Sequence, residues 1–304
     1  MKAKITYLSV FVALIIFPLL FGGFSTIMLT ELFILAIFSM SLDIILGFTG
    51  LVSFGHAAFL GVGAYITGYL MTTTGCSMLL AILLGALGSG IIAIPIGYLS
   101  VRSKGLYFAM LTLAFAQLLY TLAFKLRNIT GGDDGMIGIQ RGTLFELINF
   151  NSSVSFYYLV LFSLTLLLFL CSLIVKSPFG KVLLGIRENE QRVESLGYNT
   201  DRYKVLAFVL AAVVAGYAGG LYCSFMGYVG PTIMYWVMSG NAIMMVIMGG
   251  IGTLIGPIIG AGVFTLLQDV FSAYTENWML VVGVIFAVFV IFIPRGIVGV
   301  FRKA

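Results

Sequence analysis

Charge is what this sequence has least of. Lys, Arg, Asp and Glu make up 9% of its 304 residues, against about 25% in ordinary soluble proteins. A soluble globule of this length cannot clothe its surface with so few charges, so that class is excluded. Disorder is excluded as well, because disordered chains are poor in apolar residues and this one is 61% hydrophobic. Sixteen Lys and Arg against eleven Asp and Glu leave a net charge of +5. No basic stripe is interleaved with aromatics, however, and no nucleic-acid partner is expected.

The side chains of catalysis are equally scarce. Histidine occurs once, as His56, and cysteine three times, as Cys76, Cys171 and Cys223. One His with scattered carboxylates cannot complete a zinc site, and three Cys without CxxC spacing give no disulfide framework. The cysteines read as small packing residues. There is no Ser/His/Asp set, no HExxH, and no Gly-Lys-Ser/Thr ending to a phosphate loop. The chain is therefore expected to be no enzyme, with no catalytic residue, no metal and no cofactor of its own. The run Thr130-Gly131-Gly132-Asp133-Asp134-Gly135-Met136-Ile137-Gly138 has the glycines of a phosphate cradle but not its lysine. It reads as a tight loop whose glycines allow positive φ, or as a lid or docking surface.

What is present is length without charge. Mean hydropathy is +1.14, and thirty-seven Gly and fourteen Met suit helices packed closely in lipid. A membrane span takes about 20 apolar residues. On that measure one span fits between Lys4 and Glu31, and a second at about 26–46. Two more, about 50–71 and 78–101, fit the uncharged stretch from Asp43 to Arg102. One lies between Lys104 and Lys125 and one between Phe150 and Lys176. Val205 to Gln268 is uncharged over three spans' length, and a last span lies between Glu276 and Arg295. The expected fold is all-α, a polytopic transmembrane bundle of about ten segments in one domain, 1–304. Pro231, Pro257 and a glycine cluster leave 232–268 open between two full spans and a re-entrant hairpin. The first run resembles a signal peptide but is longer than an h-region and lacks an A-x-A site, so an uncleaved span is expected.

Lys and Arg set orientation. With the N-terminus in the cytoplasm, Lys2, Lys4, Arg102, Lys104, Lys176, Lys181, Arg187, Arg192, Arg202, Lys204, Arg295, Arg302 and Lys303 fall inside, and only Lys125, Arg127 and Arg141 fall outside. Both termini are thus expected in the cytoplasm, with loop 125–153 exported and loop 176–204 internal.

Small residues recur at four-residue spacing in Gly252, Gly256 and Gly260, in Ala212, Gly216 and Gly220, and in Ala57 with Gly61. Each set is expected to form a packing face on a helix. Two segments are heavily interrupted by glycine, one in each half: Gly47 to Gly63 and Gly249 to Gly260. Paired interruptions point to a midplane pathway. Gly55, His56, Gly252, Gly256 and Pro257 are the candidate break or pathway residues. Polar residues within spans are few: Glu31, Asp43, His56, Gln117, Asn241 and Gln268, with Asp269 at a span end. For His56 a hydrogen bond that fixes a helix break is expected ahead of proton transfer.

Ten of the 27 charged residues lie between Lys176 and Lys204. Pro178 and Gly180 are expected to end the preceding span. Glu188 and Arg192 stand at i,i+4 and Gly197 at a C-cap position, so a short helix over 187–197 is expected, with Ile186, Val193 and Leu196 as an apolar strip. Its mixed charge is wrong for anionic lipid and suits a protein partner.

These segments, taken together, resemble one family. Gly47-Phe48-Thr49-Gly50-Leu51-Val52-Ser53-Phe54-Gly55-His56-Ala57-Ala58-Phe59, Thr130-Gly131-Gly132, Ser177-Pro178-Phe179-Gly180, Arg187-Glu188-Asn189-Glu190 and Gly249-Gly250-Ile251-Gly252-Thr253-Leu254-Ile255-Gly256-Pro257 look like LivM-type permease subunits of branched-chain amino acid ABC importers, over nearly the whole chain. The resemblance implies that 187–197 is a coupling helix docking on an ATPase, with Arg187, Glu188, Asn189, Glu190, Val193, Leu196 and Gly197 carrying the contact. It also implies ATP and Mg on two ATPase subunits, a homologous second permease subunit, a periplasmic substrate-binding protein at the outer loop, and a prokaryotic inner (cytoplasmic) membrane. Where many relatives have an Ala-rich stretch, this chain has Val193-Glu194-Ser195. Importers of urea or short amides in the same family remain open as an alternative. So does an ion-coupled secondary transporter using Asp43, Asp269 or Glu31. An intramembrane enzyme lacks any cluster of catalytic groups.

Overall fold

The structure, a computed structural model, describes residues 12–18, 20, 22–144, 148–293 and 295–301. The first expected span and Lys2, Lys4, Arg302 and Lys303 lie wholly or partly outside them. Twelve α-helices follow residue 22 among the described residues. They are α1 (Gly23–Thr49), α2 (His56–Thr73), α3 (Met78–Ser100), α4 (Leu106–Lys125), α5 (Arg127–Thr130), α6 (Ser153–Lys176), α7 (Pro178–Ser195), α8 (Thr200–Met226), α9 (Trp236–Gly249), α10 (Gly256–Ser272), α11 (Trp278–Phe292) and α12 (Gly296–Phe301).

Among the described residues, six stretches are long and apolar enough to cross a membrane: α1, α3, α4, α6, α8 and the run Trp278–Gly299. The chain is an all-α polytopic protein. The stretch from Val205 to Gln268 does not hold three equal helices. α8 takes 27 residues, while α9 has 14 and α10 has 17, about 21 and 26 Å at 1.5 Å per residue. Glycine punctuation is the cause, and Gly252 lies in the loop between α9 and α10 with φ +76°. The expected face Gly252–Gly256–Gly260 is therefore broken, and only its last two members share a helix.

α1 is the hub. It is buried without interruption from Phe33 to Thr49 and packs against α6, α8, α9 and α10. Close approach explains the small residues. A side chain at Gly219 would strike the Leu60 carbonyl, one at Gly216 the Ser89 side chain, and one at Gly260 the Met245 carbonyl. Pro18 has no N–H for the Leu14 carbonyl, and the Tyr157 hydroxyl donates to that oxygen at 2.8 Å. Cys171 and Cys223 are buried thiols and Cys76 is half-buried.

The sequence reading contained no strands, but four short ones occur among the described residues, and β1 and β4 pack against α2. β1 (Met136–Ile137) pairs with β4 (Tyr228–Val229), and β2 (Thr143–Leu144) with β3 (Ile148–Asn149), both antiparallel. Gly131, Gly132, Gly135 and Gly138 all have positive φ, as the loop reading requires. Arg141 donates from Nε to Ser224 O at 2.8 Å and from Nη2 to Phe225 O at 2.7 Å. It thereby ties the loop to the free carbonyls at the end of α8.

Candidate functional site

The charged segment folds from local signals. α6 ends at Lys176, the Ser177 hydroxyl accepts from Gly180 N, and Pro178 opens α7. Asn189 then interrupts α7 with extended backbone, φ −160° and ψ 98°. Its side-chain oxygen accepts from Arg192 N at 3.0 Å, so Asn189 caps a second short helix over 190–195. The expected helix over 187–197 is thus displaced. Arg187 and Glu188 belong to the preceding turn, and no ion pair joins Glu188 to Arg192 among the described residues. The far end forms as expected. Gly197 has φ +87°, its N–H donates to Glu194 O and that of Tyr198 to Val193 O, a Schellman closure.

Glu190 faces inward. Its Oε1 lies 2.6 Å from Lys204 Nζ and 3.8 Å from Lys104 Nζ. Lys204 is 2% exposed and also meets Asp201 at 3.3 Å. Thr200 donates to Glu194 at 2.8 Å. Burial pushes the Glu190 carboxyl up, but the Lys204 hydrogen bond and charge, with Lys104, outweigh it and hold the group below its ordinary 4.5. Ile186 and Val193 are buried, whereas Leu196 is 72% and Tyr198 45% exposed. The expected apolar strip therefore splits into an anchored part and a projecting tip.

Arg187 links this segment to the helix breaks, since its Nη1 donates to the Gly47 carbonyl in the last turns of α1. Four residues earlier, the buried Asp43 accepts from Gly252 N at 2.7 Å and from Leu254 N at 3.2 Å. Both donors lie in the loop between α9 and α10, where Leu254 carries the one positive φ of a non-glycine among the described residues. Thr253 Oγ1 donates to Gly250 O and accepts from Gly256 N, so it caps α10. Pro257 sits in the first turn of α10, and the Ser39 hydroxyl lies between its carbonyl at 3.2 Å and that of Ala36 at 3.1 Å.

The other break precedes α2. Gly50 ends α1 with φ +76°, and Gly55 lies so close to α4 that a side chain there would strike the Thr112 carbonyl. His56 opens α2, fully buried. Ser41 has one hydroxyl proton and donates it to Phe38 O at 2.6 Å. Ser41 Oγ also lies 2.7 Å from His56 Nε2. The ring stacks on Phe38 at 5.5 Å. Ala57 N donates to Ser239 Oγ on α9 at 2.8 Å. All five candidate break residues thus flank the two interruptions. Asp43, Ser41 and Ser239 were not singled out as binders of these breaks. A carboxylate in a span without a countercharge was the available signal for Asp43.

A family profile described as "Branched-chain amino acid transport system / permease component" matches residues 25–293. The chain belongs to this family. Among its relatives is the high-affinity branched-chain amino acid transport system permease protein LivM of Salmonella typhimurium, 27% identical over 99% of this chain and 76% of that protein. The Escherichia coli K12 protein of the same name is 26% identical over the same shares. The Salmonella typhimurium permease protein LivH, of the same high-affinity branched-chain amino acid system, is 27% identical over 87% of this permease and 91% of its own length. No solved structure matches the chain. Its relatives are transport permeases, and this permease is accordingly a transport subunit and not a catalyst. Similarity to both LivM and LivH indicates a system with two related permeases.

Proposed function

We propose that this permease is half of the translocation pathway of an ATP-driven importer, carrying branched-chain, hydrophobic amino acids across a prokaryotic inner membrane. It works with a second homologous permease, two ATPase subunits that bind ATP and Mg, and a periplasmic binding protein seated on the 125–153 loop. Leucine-like cargo is taken from the names of the LivM and LivH relatives. Ten segments cross or enter the bilayer: the six long stretches, α2, α9, α10 and one within the first 22 residues. Of these, α9 and α10 are the shortest, with 14 and 17 residues, and α9 packs against both α10 and α2. The excess of Lys and Arg on one side puts both ends in the cytoplasm.

The observation that carries the proposal is the 187–198 segment. It is held from behind by Glu190–Lys204 and Arg187–Gly47 while Leu196 and Tyr198 project. A knob anchored on one side and apolar on the other suits a groove in a motor subunit. Its movement passes through Arg187 to the end of α1, and through Asp43 to the 250–255 loop, a two-ended device that ATPase closure can bias. Asp43 is a poor ion-coupling group, because both its oxygens already accept backbone N–H bonds.

The test is ATP-dependent leucine uptake in liposomes holding the whole complex. Leu196→Glu with Tyr198→Glu should release the ATPase during purification and abolish uptake, with the permease still folded. Undiminished ATPase retention and uptake in that variant would overturn the docking assignment. Uptake by the chain alone on an ion gradient would overturn the ATP-driven reading.

A further inference from the structure

Between α4, the 3-10 turn Pro231–Met234 and the start of α9 lies an open cavity of about 360 Å³, lined by Tyr120, Thr232, Tyr235, Val237, Met238 and Asn241. That volume falls within the about 300–1,000 Å³ of small-ligand pockets. Its lining contains no charged side chain. Asn241 is half-buried, Gln117 lies exposed three residues before Tyr120 on α4, and neither amide has a hydrogen-bond partner among the described residues. Free amides facing hydrocarbon are costly, so this face meets something other than lipid. No side chain caps the first turn of α9. Met238 N donates to Tyr235 O at 3.0 Å, which leaves the N–H groups of Trp236 and Val237 without intrahelical partners, and the positive end of the helix favours an anionic group. The Tyr120 and Tyr235 rings stand 5.6 Å apart beside it.

We infer that this cavity is the chain's wall of the solute site and that it takes a zwitterionic α-amino acid with an apolar side chain. The solute carboxylate meets the N–H groups at the start of α9. Its ammonium meets the Asn241 oxygen and the neighbouring hydroxyls, and its side chain lies on Val237 and Met238. A lining without net charge matches a solute without net charge, and the apolar patch separates such a solute from urea. The inference rests on the importer reading given above.

The experiment uses the whole complex with its binding protein. In a Cys76→Ser chain, where the remaining cysteines are buried, Asn241→Cys should react with a membrane-impermeant thiol reagent. Leucine should slow that reaction several-fold, and urea should not. Leu280→Cys, on an exposed apolar face of α11, should not react. Asn241→Leu should cut leucine uptake at least tenfold at saturating binding protein, and Met238→Trp should depress leucine uptake more than alanine uptake. A thiol that is inert, which would mean that the second permease covers it, overturns the site. So does a thiol that reacts without leucine protection, or wild-type uptake by Asn241→Leu. If the unaltered complex imports no amino acid, the importer reading itself fails, which is a separate result.

Discussion

The two interruptions of the bundle are bound by the same helix but with different chemistry. At the start of α2 the bonds are neutral: His56 to Ser41, and Ala57 to Ser239. At the loop before α10 the bond is ionic: one carboxylate, Asp43, holds Gly252 and Leu254, with Arg187 one turn away on Gly47. Arg187 of the charged cytoplasmic segment stands at both, bonded to Gly47 at the end of α1 and packed beside Gly50 and Gly252. The comparison teaches that symmetry of sequence texture, two glycine-rich stretches in two halves, does not mean symmetry of mechanism. The first break is bound by neutral groups, and the second by a buried carboxylate.

Predictions that break or sharpen this contrast begin with the ionic joint. Asp43→Ala leaves two buried N–H groups unpaired, each costing about 1–3 kcal/mol. Purified complex should melt several degrees lower and uptake should fall at least a hundredfold. Asp43→Asn, which keeps one acceptor oxygen, should fall between Ala and wild type. Equal uptake in all three would remove the latch from the mechanism.

Next is Glu190→Ala. It strips the main partner from a buried ammonium, a change worth up to about 3–5 kcal/mol and softened here by Asp201. ATP hydrolysed per leucine imported should rise several-fold. Smaller still is Ser239→Ala at the neutral joint, which removes one cap worth about 1 kcal/mol. It should lower thermal stability slightly and leave the ATP-to-leucine ratio unchanged; a changed ratio would show that both joints transmit.

The smallest effect concerns pH. Because Glu190 is held below 4.5, its contribution is fully present above the ordinary glutamate value and is lost as pH falls through the lower folded value. The coupling ratio should therefore stay flat down to about 4.5 and worsen only below it. In Glu190→Gln that acid limb should disappear.

Much of this was legible in the residues. Helix positions such as Met78–Ser100 and Ser153–Lys176 follow from uncharged runs, because the cost of a charge in lipid is local and additive. Gly197 ends its helix as read, since positive φ is a property of one residue. Asn189 misled the reading for an equally physical reason. An Asn three residues before an N–H is compatible both with a helix interior and with a cap, and the side chain's choice depends on what Glu190 meets beyond. Glu190, expected among the coupling residues, bonds inward because Lys204 of α8 and Lys104 of the loop after α3 converge on it.

The sequence by itself determined the medium, the apolar segments, the family and the loop that bears the charge, because hydropathy, glycine and proline act over one or two helical turns. Only the tertiary structure decided that Asp43 grips a loop 209 residues away, that Ser239 caps α2, and that the cavity beside Asn241 is open. Those outcomes depend on which buried polar group finds which partner once the helices have packed, and nothing within a turn of either residue encodes that pairing.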